Sequence, residues 1–272
     1  MTRIVPGPDI VKRSSQAPLI FFAAGIIGLG VLALVFGDFV EVGQTVPAWI
    51  PGRTILAYAS GVVMVLGGIG LLSARTSGLS VRILLPFLII GFLVQAPTLV
   101  MPPFAEVSWE SIGEIALLVS GMWVLFATRS GLGQGSRFAF AIGERGLRIA
   151  RITFGLWLIP IGISHFAYLQ NTVSLVPAWL PFRKGWAYLG GAGHIAAGLG
   201  VLFSVVPRLA AAMEAGMLAV FTVLVWLPRI AATPMGGRGL WTEFVVSWTI
   251  TAAAWVMADG FAASAPSPDH PV

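Results

Sequence analysis

Two histidines stand out in a chain that carries few groups able to do chemistry. His165 belongs to an Ile163-Ser164-His165-Phe166 stretch closing an apolar run, and His194 sits within the glycine-rich run Gly190 to Gly200. Imidazole exchanges protons near neutral pH, accepts or donates hydrogen bonds, and ligates metals. Around these two, the spacing of apolar runs gathers Arg183, Lys184, Arg229 and Glu243 at one end of the molecule, a set suited to holding an anionic or polar head group. The same charges also suit lipid phosphates at a membrane edge, where arginines snorkel. Glu110 and Glu114, four residues apart, share a helix face and offer proton transfer or cation binding, and Glu214 lies some residues into another apolar run.

Several chemistries are excluded by residue type. The chain has no cysteine, so it carries no disulfide, thiolate metal site, iron–sulfur cluster or dithiol relay of its own. Nothing matches a phosphate-binding glycine loop, a dinucleotide fingerprint, a zinc-protease helix or a nucleophile triad. By helical rise, His194 lies about 15 Å deep and His165 about 7 Å below its helix end. That difference of about 8 Å argues against one metal or haem held by both, and no third ligand is evident. No metal site is expected, and the sequence names no cofactor.

These residues must be positioned by helices in a bilayer. Of 272 residues, 57% are hydrophobic and 10% charged, with a mean hydropathy of +0.91. A soluble domain carries about 25% charged residues. Apolar runs predict spans near 19–37, 54–73, 81–101, 111–128, 151–170, 185–204, 208–231 and 241–259, which leave no room for a sizeable soluble domain. Pro86, Pro97 and Pro228 fall in or beside these runs and are tolerable where neighbouring helices satisfy the freed backbone. The pI of about 10.4 reflects arginines scattered between apolar runs, a topology signal rather than a nucleic-acid surface.

Val-Pro-Ala-Trp-Ile-Pro at 46–51 returns as Val-Pro-Ala-Trp-Leu-Pro at 176–181, a shift of 130 residues. At that shift Gly25, Phe36, Arg53, Tyr58, Gly61, Gly68 and Gly70 meet identical residues, and after one inserted residue Pro97 meets Pro228. The expected fold is therefore all-α and integral to the membrane: two parallel four-helix repeats, 19–128 and 151–259, related by an axis along the membrane normal. A cytoplasmic segment 1–18, a basic cytoplasmic connection 129–150 and a disordered cytoplasmic tail 260–272 complete the organisation. Trp49 and Trp179 are expected as interfacial anchors of the repeated loops, because two prolines four residues apart resist helix and an indole prefers the bilayer edge.

The second half resembles the DoxX-like family of small bacterial membrane proteins. The resemblance rests on Ile163-Ser164-His165-Phe166, the loop 176–181, and the following helix with Gly190, Gly191, Gly193, His194, Gly198 and Gly200. The family's usual acidic residue in that helix is here His194, and the first half has Val35-Phe36 and Met64 at the matching places. The resemblance implies a four-helix unit in the cytoplasmic (inner) membrane, with links to sulfur-compound or quinone redox systems and oxidative-stress complexes. Three functions stand open on this reading: an accessory component of a redox or stress-response assembly with an outward-facing polar pocket in the second repeat; a membrane enzyme acting on a quinone, lipid or small sulfur compound; and a small-solute or proton transporter. The expected partners are membrane lipid and a protein of such an assembly, with no role for nucleic acid.

Basic residues are about twice as numerous on one set of connections (Arg3, Lys12, Arg13, Arg75, Arg82, Arg129 to Arg151, Arg208) as on the other (Arg53, Arg183, Lys184, Arg229, Arg238), which predicts cytoplasmic termini. An impermeant thiol reagent on intact cells should label Gln44→Cys and Asn171→Cys and spare Gln134→Cys. The reverse pattern would overturn this topology.

Overall fold

The computed structural model describes residues 16–40, 46, 49–99 and 106–263. The expected cytoplasmic segment lies outside these up to residue 15, as does the expected tail from 264 onward. The helices are α1 (Gln16–Phe36), α2 (Arg53–Leu71), α3 (Ser77–Gln95, continued by a 3-10 turn Ala96–Leu99), α4 (Glu106–Arg129) and α5 (Gly143–Ala167). There follow α6 (Leu169–Leu175), α7 (Arg183–Leu202), α8 (Pro207–Phe221), a π turn Thr222–Trp226, α9 (Leu227–Ala232) and α10 (Gly237–Ala263). The described part is all-helical. Helix α5 begins at Gly143, within what the sequence marks as connection, and α10 runs to Ala263, beyond the expected end at 259.

Among the described residues, seven helical segments are long and apolar enough to cross a membrane. They match the expected spans with one exception: α7 is not among them. Its length is sufficient, but Gly190, Gly191, Gly193, Gly198, Gly200 and His194 replace the large aliphatic residues that raise hydropathy elsewhere.

Helix α1 shows why these segments suit lipid. Phe22, Ile26, Leu29 and Ala33 recur at helical spacing and are buried, while Ile20, Phe21, Val31 and Val35 on the other side are exposed. The same holds for Leu66, Ile69, Ile83, Ile90, Leu93, Leu189, Met213 and Val220. Soluble monomers do not expose apolar surface on this scale, whereas a hydrocarbon solvent accepts it.

Helices α4 and α10 form the centre: 78% of the α4 span window and 56% of the α10 window is buried, against 33–44% in the others. They touch where a side chain on Gly121 would meet the Ala253 Cβ at 2.8 Å. Around them α1 packs on α2 and α10, α2 on α3, α3 on α4, α4 on α5, α5 on α7, α7 on α8, and α8 on α10.

Two helix pairs approach through glycine. A Cβ on Gly30 would lie 2.7 Å from the Gly61 carbonyl oxygen, and one on Gly61 would lie 3.0 Å from that of Gly30. Between α5 and α7, Gly155 and Gly198 face each other in the same way at 2.7 and 2.9 Å, as do Gly162 and Gly191 at 2.6 and 2.9 Å. In lipid, where apolar burial between helices gains little, such backbone contact supplies the association energy.

Pro228 has a local explanation. After Phe221 the backbone widens into a π turn, with the Leu227 N–H donating to the Thr222 carbonyl, ahead of Pro228, which has no N–H to give. The Thr222 hydroxyl, bonded to the Leu218 carbonyl at 2.8 Å and to the Ser247 hydroxyl at 2.7 Å, ties this turn to α10.

Substituting Gly198 by valine should lower stability by about 1–3 kcal/mol, the cost of overpacking a tight contact. Gly216→Ala, where an added Cβ meets nothing within 4 Å, should be neutral or stabilising by up to about 1 kcal/mol. Equilibrium unfolding in mixed micelles measures both, and equal effects would contradict the packing described.

Candidate functional site

The glycine seam between α5 and α7 positions the two histidines. His165 lies near the end of α5, and a Cβ on Gly191 would come within 2.9 Å of the His165 Cβ, so α7 can sit this close only with glycine there. Gly190 leaves room beside the imidazole, whose Cδ2 an added Cβ would meet at 3.5 Å. The His165 Nδ1–H donates to the Ile161 carbonyl at 2.9 Å, which fixes the tautomer and leaves Nε2 as the acceptor of the neutral ring.

His194 is buried, and its ring lies edge-on to that of His165 with centroids 5.0 Å apart. The separation expected from depth is therefore not realised at the side chains. Helical Cα–Cβ bonds tilt toward the N-terminus, and α5 and α7 run in opposite directions, so the His165 ring leans inward and the His194 ring leans toward the Trp-loop end.

The partner of His194 is Glu214 of α8. The His194 Nδ1 to Glu214 Oε1 distance is 2.7 Å, and the glutamate side chain is completely buried. The contact is a hydrogen bond between an imidazole nitrogen and a carboxylate oxygen, both on buried side chains. The other carboxylate oxygen, Oε2, is buried without a hydrogen-bond partner. A fully buried acceptor with nothing to accept from is costly and marks a place where a donor belongs.

The other expected site residues are arranged differently. Arg183 turns away from the histidines and closes its own loop, donating from Nε to the Val176 carbonyl at 3.0 Å and from Nη2 to that of Val173 at 2.5 Å. Arg53 does the same in the earlier loop, Nε to the Val46 carbonyl at 3.2 Å. Arg229 donates to the Ser174 carbonyl at 3.2 Å and lies over the Trp226 ring, and Lys184 is exposed. Glu243, half-buried in α10, lies within electrostatic range of Glu114 and Arg229 rather than against the histidines. Glu110 accepts from the Ser164 hydroxyl at 3.2 Å, and Glu114 Oε2 is buried without a hydrogen-bond partner. Trp49 and Trp179, 79% and 70% exposed, stand at the loop tips as interfacial anchors would.

At the same end Asp38 pairs with Arg53 and with Arg238, the latter at 2.5 Å, which links the end of α1 to the starts of α2 and α10. Burial alone would raise the Asp38 carboxyl, but Arg238, the Phe39 N–H and Arg53 outweigh it and hold the group below its ordinary range. Among the described residues, no three His, Asp or Glu side chains converge as a metal ion requires.

Glu214 is the site candidate that the sequence leaves isolated. Its signal is arithmetic: His194 and Glu214 stand eight and seven residues from the facing helix ends Leu202 and Pro207, so antiparallel α7 and α8 bring them nearly level. The positions 130 residues earlier are Met64 and Leu84, both buried. His194→Met or Glu214→Leu alone should therefore destabilise the chain by roughly 1–3 kcal/mol, since each leaves a buried polar partner unpaired. The double substitution should recover most of that loss, as an apolar pair of similar volume replaces a buried ionisable one. Additive losses in the double-mutant cycle would show that the two side chains do not interact.

A domain of unknown function (DUF8561) matches residues 154–261, from Phe154 in α5 to Phe261 in α10, a stretch that contains His165, His194 and Glu214. No curated protein and no solved structure matches the chain.

Proposed function

We propose that this chain is a multi-pass membrane protein of two parallel four-helix repeats, α1–α4 and α5–α10, whose second repeat carries a buried proton-exchanging His–Glu site. It serves as an accessory component of a redox or stress-response assembly, with both termini on the cytoplasmic side of the inner membrane. The observation that carries the site is the buried His194–Glu214 pair with an unsatisfied carboxylate oxygen. Intramembrane ionisable groups are costly and commonly functional.

The repeat reading makes α7 the eighth span, and register supports it. Gly61, Met64 and Gly68 of α2 match Gly191, His194 and Gly198 of α7 at a shift of 130, and Leu84 of α3 matches Glu214. In the first helices, buried Phe22, Ile26, Leu29 and Gly30 match buried Phe154, Leu158, Ile161 and Gly162 at a shift of 132. Packing therefore sets Ala33 against His165, where sequence alignment alone sets Val35, and the extra two residues belong to the first loop. Contacts between halves support a two-fold relation as well, since α4 packs on α5 as α10 packs on α1. The matched family model, confined to 154–261, treats the second half as a unit.

The accessory role rests on the DoxX-like resemblance of the second half. Purification in native lipid, followed by mass spectrometry and an absorption spectrum, tests it. A stoichiometric co-purifying protein is the expected result. A bound quinone or pigment without a protein partner would instead identify an enzyme.

A further inference from the structure

We infer that His165, His194 and Glu214 form a dead-ended proton path, open to the Trp-loop end of the bundle and closed toward the other, so that the site takes up and releases a proton from one face only. The inference rests on the membrane-site reading above and adds the side from which the site is reached.

The open end is His165. It is half-buried, whereas His194 and Glu214 are buried, and its ring is edge-on to His194 at 5.0 Å. Its Nδ1–H is held by the Ile161 carbonyl, so exchange with water occurs at Nε2. On His194 the Nδ1 side is committed to Glu214, so exchange there is again at Nε2. A proton taken from water by His165 Nε2 and passed to His194 Nε2 moves the pair from one net negative charge, neutral imidazole with carboxylate, to neutrality. No electron transfer is involved, and the water is left as hydroxide on the Trp-loop side.

The closed end is apolar. Beyond Glu214, two turns along α7 and one along α8, stand Val201 and Ala211, with Leu158 and Phe154 across from them on α5, all 0% exposed. The side chains of this layer on α5, α7 and α8 are apolar, and polar groups on that side begin nearer the helix ends, with half-buried Thr153 and Arg151 of α5, the latter with its Nε buried and its Nη1 donating to the Ser204 hydroxyl. A path needs donors or water at each step, and this layer offers neither.

Of the charged groups on the packed elements, Arg151 of α5 donates to the Ser204 hydroxyl, Arg208 of α8 is exposed and Asp259 of α10 is half-buried. Glu110 on α4 is engaged with Ser164 and Glu114 is in range of Glu243 on α10. Arg229 on α9 is engaged with the Ser174 carbonyl, Arg183 on α7 with its loop, and Lys184 is exposed. None of these side chains pairs with Glu214, whose hydrogen bond is to His194.

The test uses the full chain in vesicles of single orientation, established by labelling Asn171→Cys, with ring-labelled histidine followed by nuclear magnetic resonance while pH is stepped on one face at a time. A step on the Trp-loop face should shift the His194 signals promptly, and a step on the other face should not. His165→Phe, or His165→Gln if the first fails to fold, should slow the response by about two orders of magnitude, the scale on which a positioned proton-transfer group acts. Glu214→Gln should remove the coupled shift. A prompt response from the other face, or an undiminished rate in both His165 variants, would overturn the one-sided path while leaving the site. A His194 signal indifferent to pH on both faces would overturn the path and the proton-exchanging site together.

Discussion

Close contact between glycine backbones is the constraint on which the arrangement depends. Helices in hydrocarbon gain little by hiding apolar side chains from one another, so their association depends on how near the backbones can come. Gly155 with Gly198 and Gly162 with Gly191 bring α5 and α7 into carbonyl contact, and that nearness carries the His165 ring to within 5.0 Å of the His194 ring. A larger residue at 191 would press on the Phe166 ring, the Gly162 carbonyl and the His165 Cβ, and so would disturb the histidine together with the helix contact. Packing and chemistry are thus fixed by the same few glycines.

The two halves spend this geometry differently. Between α1 and α2 the contact of Gly30 with Gly61 is similar, yet the interior beside it holds Met64 and Leu84 where the second half holds His194 and Glu214. An apolar pair requires no hydrogen-bond partner, whereas an ionisable pair in lipid is tolerated when each member satisfies the other. The second half keeps the more demanding arrangement and leaves Glu214 Oε2 unsatisfied. Stability alone does not account for that choice, since Met64 and Leu84, 130 residues earlier, are buried without any such need.

Spans were the most legible feature, because an apolar run of about 20 residues carries its own evidence. The exception is instructive: α7 falls short on hydropathy for the same reason that it packs closely, its glycines. The candidate site was half legible. Both histidines were visible as rare groups in apolar surroundings, but depth measured along the helix axes separated them, because such a measure omits the direction of the Cα–Cβ bond. Arg183 looked like a ligand-binding cation because its type and place suited an anion. Its guanidinium donates to the Val176 and Val173 carbonyls, a use that depends on how the proline-rich loop folds back and leaves no trace in residue type.

Glu214 shows what a hairpin adds to the reading of single positions. A carboxylate in the interior of a membrane helix implies a partner, and in an antiparallel pair the level at which that partner stands is set by distance from the turn. Glu214 and His194 stand seven and eight residues from the facing helix ends Pro207 and Leu202, and Leu84 and Met64 each stand seven from Ser77 and Leu71. Position thus identifies both pairs, and chemistry distinguishes them. Because the backbone level is shared, exchanging the apolar pair for the ionisable one requires no change of fold, so a bundle of this kind can carry one such site or two on the same scaffold. What decides between them is whether a neighbouring group connects the pair to water, and only the second half has a histidine at that place, where packing sets Ala33 in the first.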